Sequence, residues 1–142
     1  MFRRNPWAWA LLALGALQIL VLLVIFPACT GKMELASGAA APMKCHWYAL
    51  FEAVLGALLL VQAASSLFLR EPRAKACAAA VTLSTGLATV LLGLDGLVGV
   101  CKGPVMACHM ATRPALSVLG GLTICISTLL LIQNLRLPRR GR

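Results

Sequence analysis

Four long runs of apolar residues constrain this chain more than any other feature. They lie near residues 7–26, 47–69, 76–100 and 114–135 of a chain of 142 residues. A helix of about 20 residues, rising about 1.5 Å per residue, spans the hydrocarbon core of a membrane. The first run contains LLALGALQILVLLVIF, where Gln18 is the only strongly polar residue, so it lacks the polar face of a helix in a soluble bundle. The sequence therefore predicts an all-α membrane protein with four transmembrane helices.

The composition supports this class of protein. Apolar residues make up 61% of the chain and charged residues 12%, which is outside the usual range of soluble domains. The length allows one domain, and we predict a single four-span membrane domain over residues 1–142. Arg3 and Arg4 precede the first run as they would in a signal peptide, but the run exceeds the usual apolar core of about 7 to 15 residues. We expect the first run to remain as a span.

The positive charges are distributed unequally between the two sides of the predicted spans. One side carries nine lysine and arginine residues, namely Arg3, Arg4, Arg70, Arg73, Lys75, Arg136, Arg139, Arg140 and Arg142. The other carries four, namely Lys32, Lys44, Lys102 and Arg113. Since cytoplasmic loops are enriched in lysine and arginine, both termini are predicted to be cytoplasmic.

The net charge of +9 raises the question of a nucleic-acid partner. These charges are spread over short membrane flanks, without a soluble domain to shape a groove, so we predict no nucleic-acid binding. Anionic lipid headgroups are the simpler partner. The predicted location is the cell membrane, which the chain crosses several times.

The predicted topology sorts the six cysteines. Four lie in or beside the two outer loops, namely Cys29, Cys45, Cys101 and Cys108. Because thiols outside the cytoplasm tend to oxidise, these four are predicted to form two disulfides, and all three pairings remain open. Cys77 and Cys125 are predicted to be reduced packing residues.

A short motif occurs twice at matching places. Met43, Cys45 and His46 follow Cys29, and Met106, Cys108 and His109 follow Cys101. The repeat predicts two tandem helical hairpins, over residues of about 1–70 and 71–142. An approximate two-fold axis along the membrane normal would bring the two Cys-His elements close together.

The hairpin order and the stretch MKCHW at residues 43–47 give the chain a recognisable resemblance. It resembles an uncharacterised family of small bacterial and archaeal four-helix membrane proteins, one of the domains of unknown function. The resemblance covers almost the whole chain. It implies the fold and the membrane location but no reaction. If relatives are encoded beside transporters, an accessory role follows by association.

The repeated motif brings together residue types that bind metals. Thioether, thiolate and imidazole groups suit Cu(I), and histidine and cysteine also suit zinc or haem iron. The candidate ligands are Met43, Cys45, His46, Met106, Cys108, His109 and Met110. Their spacing matches no C-x-x-C, C-x-x-C-H or H-x-x-x-H motif, and a disulfide would remove the cysteines as thiolate ligands. The choice between structural disulfides and a metal or haem site stays open.

Two acidic residues lie inside the predicted spans. Glu52 and Asp95 are each expected at roughly 8 Å below the outer boundary, on consecutive helices. Since a charge in lipid costs on the order of 2.5 to 3.5 kcal/mol, both are expected to face the bundle interior or a wet cavity. They could hold a cation, relay a proton or orient a histidine, or they could serve packing, with Arg113 as an ion partner. Glu52 is also predicted to share a helix face with Cys45.

Small and aromatic residues indicate how the helices pack and where they meet the headgroups. Two seams of close packing are predicted, one along Thr82, Gly86, Thr89, Gly93 and Gly96 and one along Ser117, Gly121, Cys125 and Thr128. Headgroup anchors are predicted at Trp7, Trp9, Trp47 and Tyr48.

These features favour a non-enzymatic membrane accessory protein with an outer cap rich in cysteine, histidine and methionine, which binds a metal or haem or assists a transporter. The alternative is a thiol-disulfide oxidoreductase linked to quinone, because two cysteine pairs on the loops of a four-helix bundle resemble the bacterial disulfide-bond oxidase. That oxidase carries a C-x-x-C motif in its first loop, whereas Cys29 and Cys45 are sixteen positions apart.

Overall fold

A computed structural model describes residues 6–25, 32–34, 38, 40–42, 44–94 and 108–136. Four helices in it are long and apolar enough to cross a membrane, namely Pro6–Ile25, Cys45–Phe68, Pro72–Leu92 and Cys108–Arg136. The predicted four membrane-length helices are therefore confirmed. The third begins at Pro72 and the fourth at Cys108, both earlier than the sequence predicts.

The long helices are labelled in chain order. They are α1 (Pro6–Leu20), α2 (Lys44–Phe68), α3 (Pro72–Leu92) and α4 (Arg113–Arg136). A π-helical turn, Val21–Ile25, continues α1, and a second one, Cys108–Thr112, leads into α4. Each of these two spans thus changes its helical winding at the end that carries the π-helical turn.

A short β-ribbon lies in the connection between α1 and α2. Strands β1 (Lys32–Glu34) and β2 (Ala40–Pro42) pair antiparallel, with Met33 opposite Ala41. Gly38, between the strands, has a φ of 77°, a conformation that glycine adopts without steric cost. None of the sequence patterns described above predicts this ribbon.

Only three residues connect α2 to α3. Pro72 begins α3, a position that tolerates proline because the first backbone N–H groups of a helix have no partner within it. The Lys75 backbone N–H donates to the carbonyl of Glu71 at 3.0 Å and closes the first turn. Since short connections join antiparallel neighbours, α3 returns beside α2.

The helix ends gather into two groups. Buried residues of one apolar cluster join the end of the first span to the starts of α2 and of the fourth span, among them Leu22, Cys45 and Cys108. We call this the cap end. Leu11, Ser66, Lys75 and Asn134 line a common cavity at the opposite end of the bundle, which we call the base end.

Helices α3 and α4 pack closely against each other. A Cβ atom at Gly120 would lie 2.9 Å from Val90 Cγ2 and 3.2 Å from the carbonyl oxygen of Gly86. A Cβ atom at Gly86 would likewise lie 3.2 Å from the carbonyl oxygen of Gly120. The two glycines therefore let the two backbones approach closely, as small residues do in membrane helix pairs.

The two predicted packing seams have different outcomes. Thr82, Gly86 and Thr89 are buried on α3, as predicted. The α4 seam is wrong, because a Cβ atom at Gly121 would meet nothing within 4 Å and Cys125 is exposed. The buried face of α4 instead carries Leu116, Leu119, Gly120, Thr123, Ser127 and Asn134.

Large apolar side chains cover the outside of the bundle. Leu23, Val61 and Phe68 are among the most exposed, as expected of helices that face lipid tails. Trp9 and Trp47 are exposed near span ends, where aromatic residues contact headgroups. Tyr48 departs from its predicted role as an anchor, because it is only 1% exposed.

Candidate functional site

A buried polar cluster joins three helices. The side-chain nitrogen Nε2 of Gln18 on α1 lies 3.0 Å from Glu52 Oε2 and 3.2 Å from the Glu52 carbonyl oxygen on α2. The same nitrogen lies 3.4 Å from Thr89 Oγ1 on α3. Gln18 and Thr89 are each 2% exposed and Glu52 is 0% exposed. We call these three residues the polar centre.

The helix periodicity explains why these side chains meet. Cys45, Tyr48 and Glu52 are spaced three and four apart on α2, and all three are buried. They therefore form one inward face, and Glu52 shares the face of Cys45 as predicted. Gln18 lies on the buried face of α1 with Leu11 and Gly15, so its amide points into the bundle.

The polar centre contains more hydrogen-bond acceptors than donors among the described residues. The amide of Gln18 has two N–H groups for three nearby acceptor oxygens. Thr89 Oγ1 donates to the Thr85 carbonyl at 3.3 Å, so it is available to accept from Gln18. Glu52 Oε1 is buried and has no hydrogen-bond partner within the described part of the chain. A proton, a cation or a water molecule would satisfy this oxygen.

Further buried polar atoms without a described partner lie near the cap end. They are the Tyr48 hydroxyl, His109 Nδ1 and Thr112 Oγ1, whereas a fifth, Ser127 Oγ, lies further along α4. Buried polar groups without a protein partner are the places where ordered water or a ligand is expected. The polar centre therefore adjoins a region whose buried polar atoms need hydrogen-bond partners from outside the described residues.

The predicted Cys-His elements are only partly brought together. Cys45 and Cys108 belong to one buried cluster, so the starts of the two elements converge at the cap end. His46 is exposed and packs edge-on against Trp47, with ring centroids 6.0 Å apart, whereas His109 is half-buried.

The remaining predicted site residues do not form a metal site in the described part of the chain. Met110 is 68% exposed, and Met43, Met106 and Asp95 lie outside the described residues. Arg113 is half-buried and interacts electrostatically with Tyr48. Across residues 6–25, 44–94 and 108–136 no three His, Cys, Asp or Glu side chains are grouped to hold a metal. The described side chains therefore define a carboxyl site more clearly than a metal site.

The cysteines also differ in their surroundings. Cys45 is disulfide-bonded, and Cys108 is buried in the same cluster. The disulfide predicted for Cys108 stays a prediction. Cys29 and Cys101 lie outside the described residues, so the predicted pairing into two disulfides stays a prediction for them. Cys77 and Cys125 are reduced as predicted, but both are exposed on the bundle surface and not packed inside it.

Sequence reasoning found one member of the polar centre and missed the others. The sequence indicates Glu52, because an acid in an apolar run is costly in lipid. The sequence marks Gln18 only as a polar exception in the first apolar run, and it predicts Thr89 only as a small packing residue. A signal for Gln18 was present, since an amide in lipid also needs a hydrogen-bond partner from another helix.

Fold and site together define a class of protein, an integral membrane protein with four membrane-length helices and a carboxyl group enclosed among three of them. Within this class, residues 11–133 match the family described as "Domain of unknown function (DUF4418)", and the chain belongs to that family. The resemblance to an uncharacterised family is thereby confirmed, whereas a family signature at MKCHW stays a prediction. Neither the curated proteins nor the solved structures include a match to this chain.

Proposed function

We propose that the protein is a non-enzymatic accessory protein of the cell membrane and that Glu52 is its chemically active group, a carboxyl group that binds a proton inside the bundle. The observation that carries the proposal is the complete burial of Glu52, with Oε2 bonded to Gln18 and Oε1 lacking a partner in the described region. Ionisable residues inside membrane bundles commonly serve ion or proton binding.

Protonation of Glu52 changes which hydrogen-bond donors and acceptors its neighbours must provide. The ionised carboxylate only accepts hydrogen bonds, whereas the neutral acid also has an O–H group to donate. Because Gln18 and Thr89 come from different helices, a change at Glu52 alters the hydrogen bonds that join α1, α2 and α3. The proposed function thus couples proton binding to the packing of three helices.

The proposed membrane arrangement supports an accessory role. Nine positive charges against four favour two tandem hairpins with both termini in the cytoplasm and with anionic lipids at the base end. The apolar outer faces of the helices offer surfaces on which a transporter or another membrane protein would pack. A proton-dependent change in helix packing would reach such a partner directly.

Infrared spectroscopy of the protein in liposomes tests the role of Glu52. A neutral carboxylic acid has a C=O stretching band that carboxylates lack, so wild-type protein at neutral pH should show this band. Glu52→Gln should abolish it. Glu71→Gln is the matched control, because Glu71 is an exposed acid in the α2–α3 turn and its loss should leave the band intact. A wild-type spectrum without the band would refute proton binding at Glu52.

A thiol-disulfide oxidoreductase linked to quinone is the second proposal. The observation that favours it is the common cluster of Cys45 and Cys108 at the cap end. Purified protein should then exchange disulfides with a dithiol substrate and respond to added quinone. The same detergent-purified protein would reveal copper, zinc or haem by its absorption spectrum and elemental analysis, which tests the remaining cofactor prediction.

A further inference from the structure

We infer that Glu52 exchanges its proton with solvent at the cap end, through water held between the hydroxyl groups of Tyr48 and Ser117. The inference rests on the proposed function, because it adds the route by which the Glu52 carboxyl group is reached. The supporting observation is the position, relative to Glu52, of buried polar atoms that have no hydrogen-bond partner among the described residues.

Tyr48 is the nearest such group on the same helix face. It precedes Glu52 by four residues, which is about 6 Å along the axis at helical rise. Both side chains are buried, and the Tyr48 hydroxyl and Glu52 Oε1 each lack a hydrogen-bond partner in the described ranges. One or two water molecules between them would satisfy both oxygens.

A glycine leaves room beside the tyrosine hydroxyl. A Cβ atom at Gly93, at the end of α3, would lie 3.6 Å from the Tyr48 hydroxyl oxygen and 3.7 Å from Ser117 Oγ on α4. The hydroxyl groups of Tyr48 and Ser117, on different helices, thus border the space that a larger side chain at position 93 would fill. A hydroxyl group can donate and accept, so such a pair can pass a proton along a hydrogen-bonded chain.

The groups beyond Tyr48 continue towards the cap. At the start of the fourth span, Thr112 Oγ1 and His109 Nδ1 are further buried atoms that lack a hydrogen-bond partner among the described residues. Among the described residues, the charged and titratable groups that interact with Tyr48 are Glu52, Arg113 and Cys108. The residues that α1 and α3 contribute to the polar centre, Gln18 and Thr89, are uncharged. In the part of the chain that the structure describes, buried polar atoms without a partner therefore lie mainly on the cap side of Glu52.

The base side of Glu52 is closed by comparison. Leu11, Leu59 and Ala63 form a buried apolar cluster there. The hydroxyl of Thr85, one turn below Thr89, is already bonded to the Gln62 side chain and to the Val81 carbonyl. A cavity of about 20 Å³, enough for about one water, lies further down between Lys75 and Asn134. A base-side route would have to break these bonds.

Hydrogen-deuterium exchange of the Glu52 carboxylic acid proton, followed through its C=O band, tests the route. Protein in liposomes is transferred to D₂O, and the shift of the C=O band is followed in time. Tyr48→Phe keeps the ring but removes the hydroxyl, and it should slow the exchange by about tenfold, the effect of losing one hydrogen-bonded link. Gly93→Ala should slow it similarly by displacing water.

Gly93→Ala is not expected to disturb the fold, so slower exchange in this variant would not be explained by misfolding. Gly93 has φ −72° and ψ −11°, which alanine adopts freely, and its nearest neighbours would be at ordinary contact distances of 3.4 Å or more. The matched base-side variant is Thr85→Val, which should leave the exchange rate unchanged. Slower exchange in Thr85→Val with normal exchange in the other two variants would overturn the cap-side route, as would three unchanged rates.

The outcome separates the two proposals. If wild-type protein lacks a Glu52 acid band, the proposed function fails, and the route fails with it. If the band is present and is lost in Glu52→Gln, the function stands, and the three exchange rates alone decide the route.

Discussion

Gln18 Nε2 on α1 donates a 3.0 Å hydrogen bond to Glu52 Oε2 on α2, in a part of the bundle where both side chains are almost fully buried. Each residue would be costly in lipid by itself, because neither water nor its own helix can satisfy its polar atoms. The pair removes part of that cost only when α1 and α2 are correctly rotated against each other. The hydrogen bond therefore specifies the packing of these two helices.

The first prediction is that Gln18→Leu destabilises the bundle. The substitution keeps a side chain of similar size but removes the donor to Glu52. Interhelical hydrogen bonds in membrane proteins contribute about 0.6 kcal/mol on average and at most about 1.7 kcal/mol, so the loss should fall in that range. Reversible unfolding in mixed micelles measures it. Ser84→Ala is the control, since the exposed Ser84 hydroxyl bonds only to the Val81 carbonyl of its own helix.

A double-mutant cycle distinguishes this hydrogen bond from general packing. Glu52→Leu combined with Gln18→Leu should cost less than the sum of the single variants, because neither polar group is then left without its partner. Strictly additive effects would show that the two side chains do not stabilise each other.

The second prediction concerns two adjacent glycines on α4. Gly120→Ala should destabilise by about 1 to 3 kcal/mol, because its Cβ atom would lie 2.9 Å from Val90 Cγ2 and 3.2 Å from the Gly86 carbonyl oxygen. Gly121→Ala should not destabilise, because its Cβ atom meets nothing within 4 Å and alanine favours helix. Thermal unfolding in detergent compares them. Equal losses in both variants would contradict the α3–α4 contact.

The number of spans can be read from this sequence more readily than the inward face of each helix. Four membrane-length helices followed directly from apolar run length. The buried face of each helix is harder to predict from the sequence. On α4, the predicted seam contains Gly121, whereas the observed buried face contains the neighbouring Gly120. In an apolar helix both lipid-facing and buried residues are hydrophobic, so composition alone does not mark the inner face.

Because the sequence does not mark the inner face of each helix, it also does not predict the burial of Tyr48 or the contact between Gln18 and Glu52. Tyr48 lies near a span end, where tyrosine commonly contacts headgroups, yet it is buried against the start of the fourth span. Glu52 could be selected from the sequence because its charge is costly anywhere in lipid. Its pairing with Gln18, thirty-four positions earlier, depends on the relative rotation of two helices, which one sequence does not encode as a local pattern.

The third prediction concerns the oxidation state of the cysteines. Denatured protein, alkylated without reductant and analysed by mass spectrometry, should be modified at Cys77 and Cys125 and unmodified at Cys45. The peptide linked to Cys45 then identifies its partner. Cys108 is the informative position, since protection from alkylation would support the disulfide predicted from the sequence and alkylation would contradict it. Alkylation at Cys45 would contradict a disulfide there.

The fourth prediction is the orientation in the membrane. His46 and Arg73 are both exposed in the first turns of their helices, one at the cap end and one at the base end. Each cytoplasmic Lys or Arg near an anionic surface contributes about 1 kcal/mol, so nine charges against four should hold the base end in the cytoplasm. In intact cells, a membrane-impermeant thiol reagent should modify His46→Cys, as identified by mass spectrometry of that peptide. Arg73→Cys should react only after permeabilisation, with unchanged thermal unfolding as the folding control. Labelling of Arg73→Cys in intact cells, with His46→Cys protected, would place the cap end in the cytoplasm.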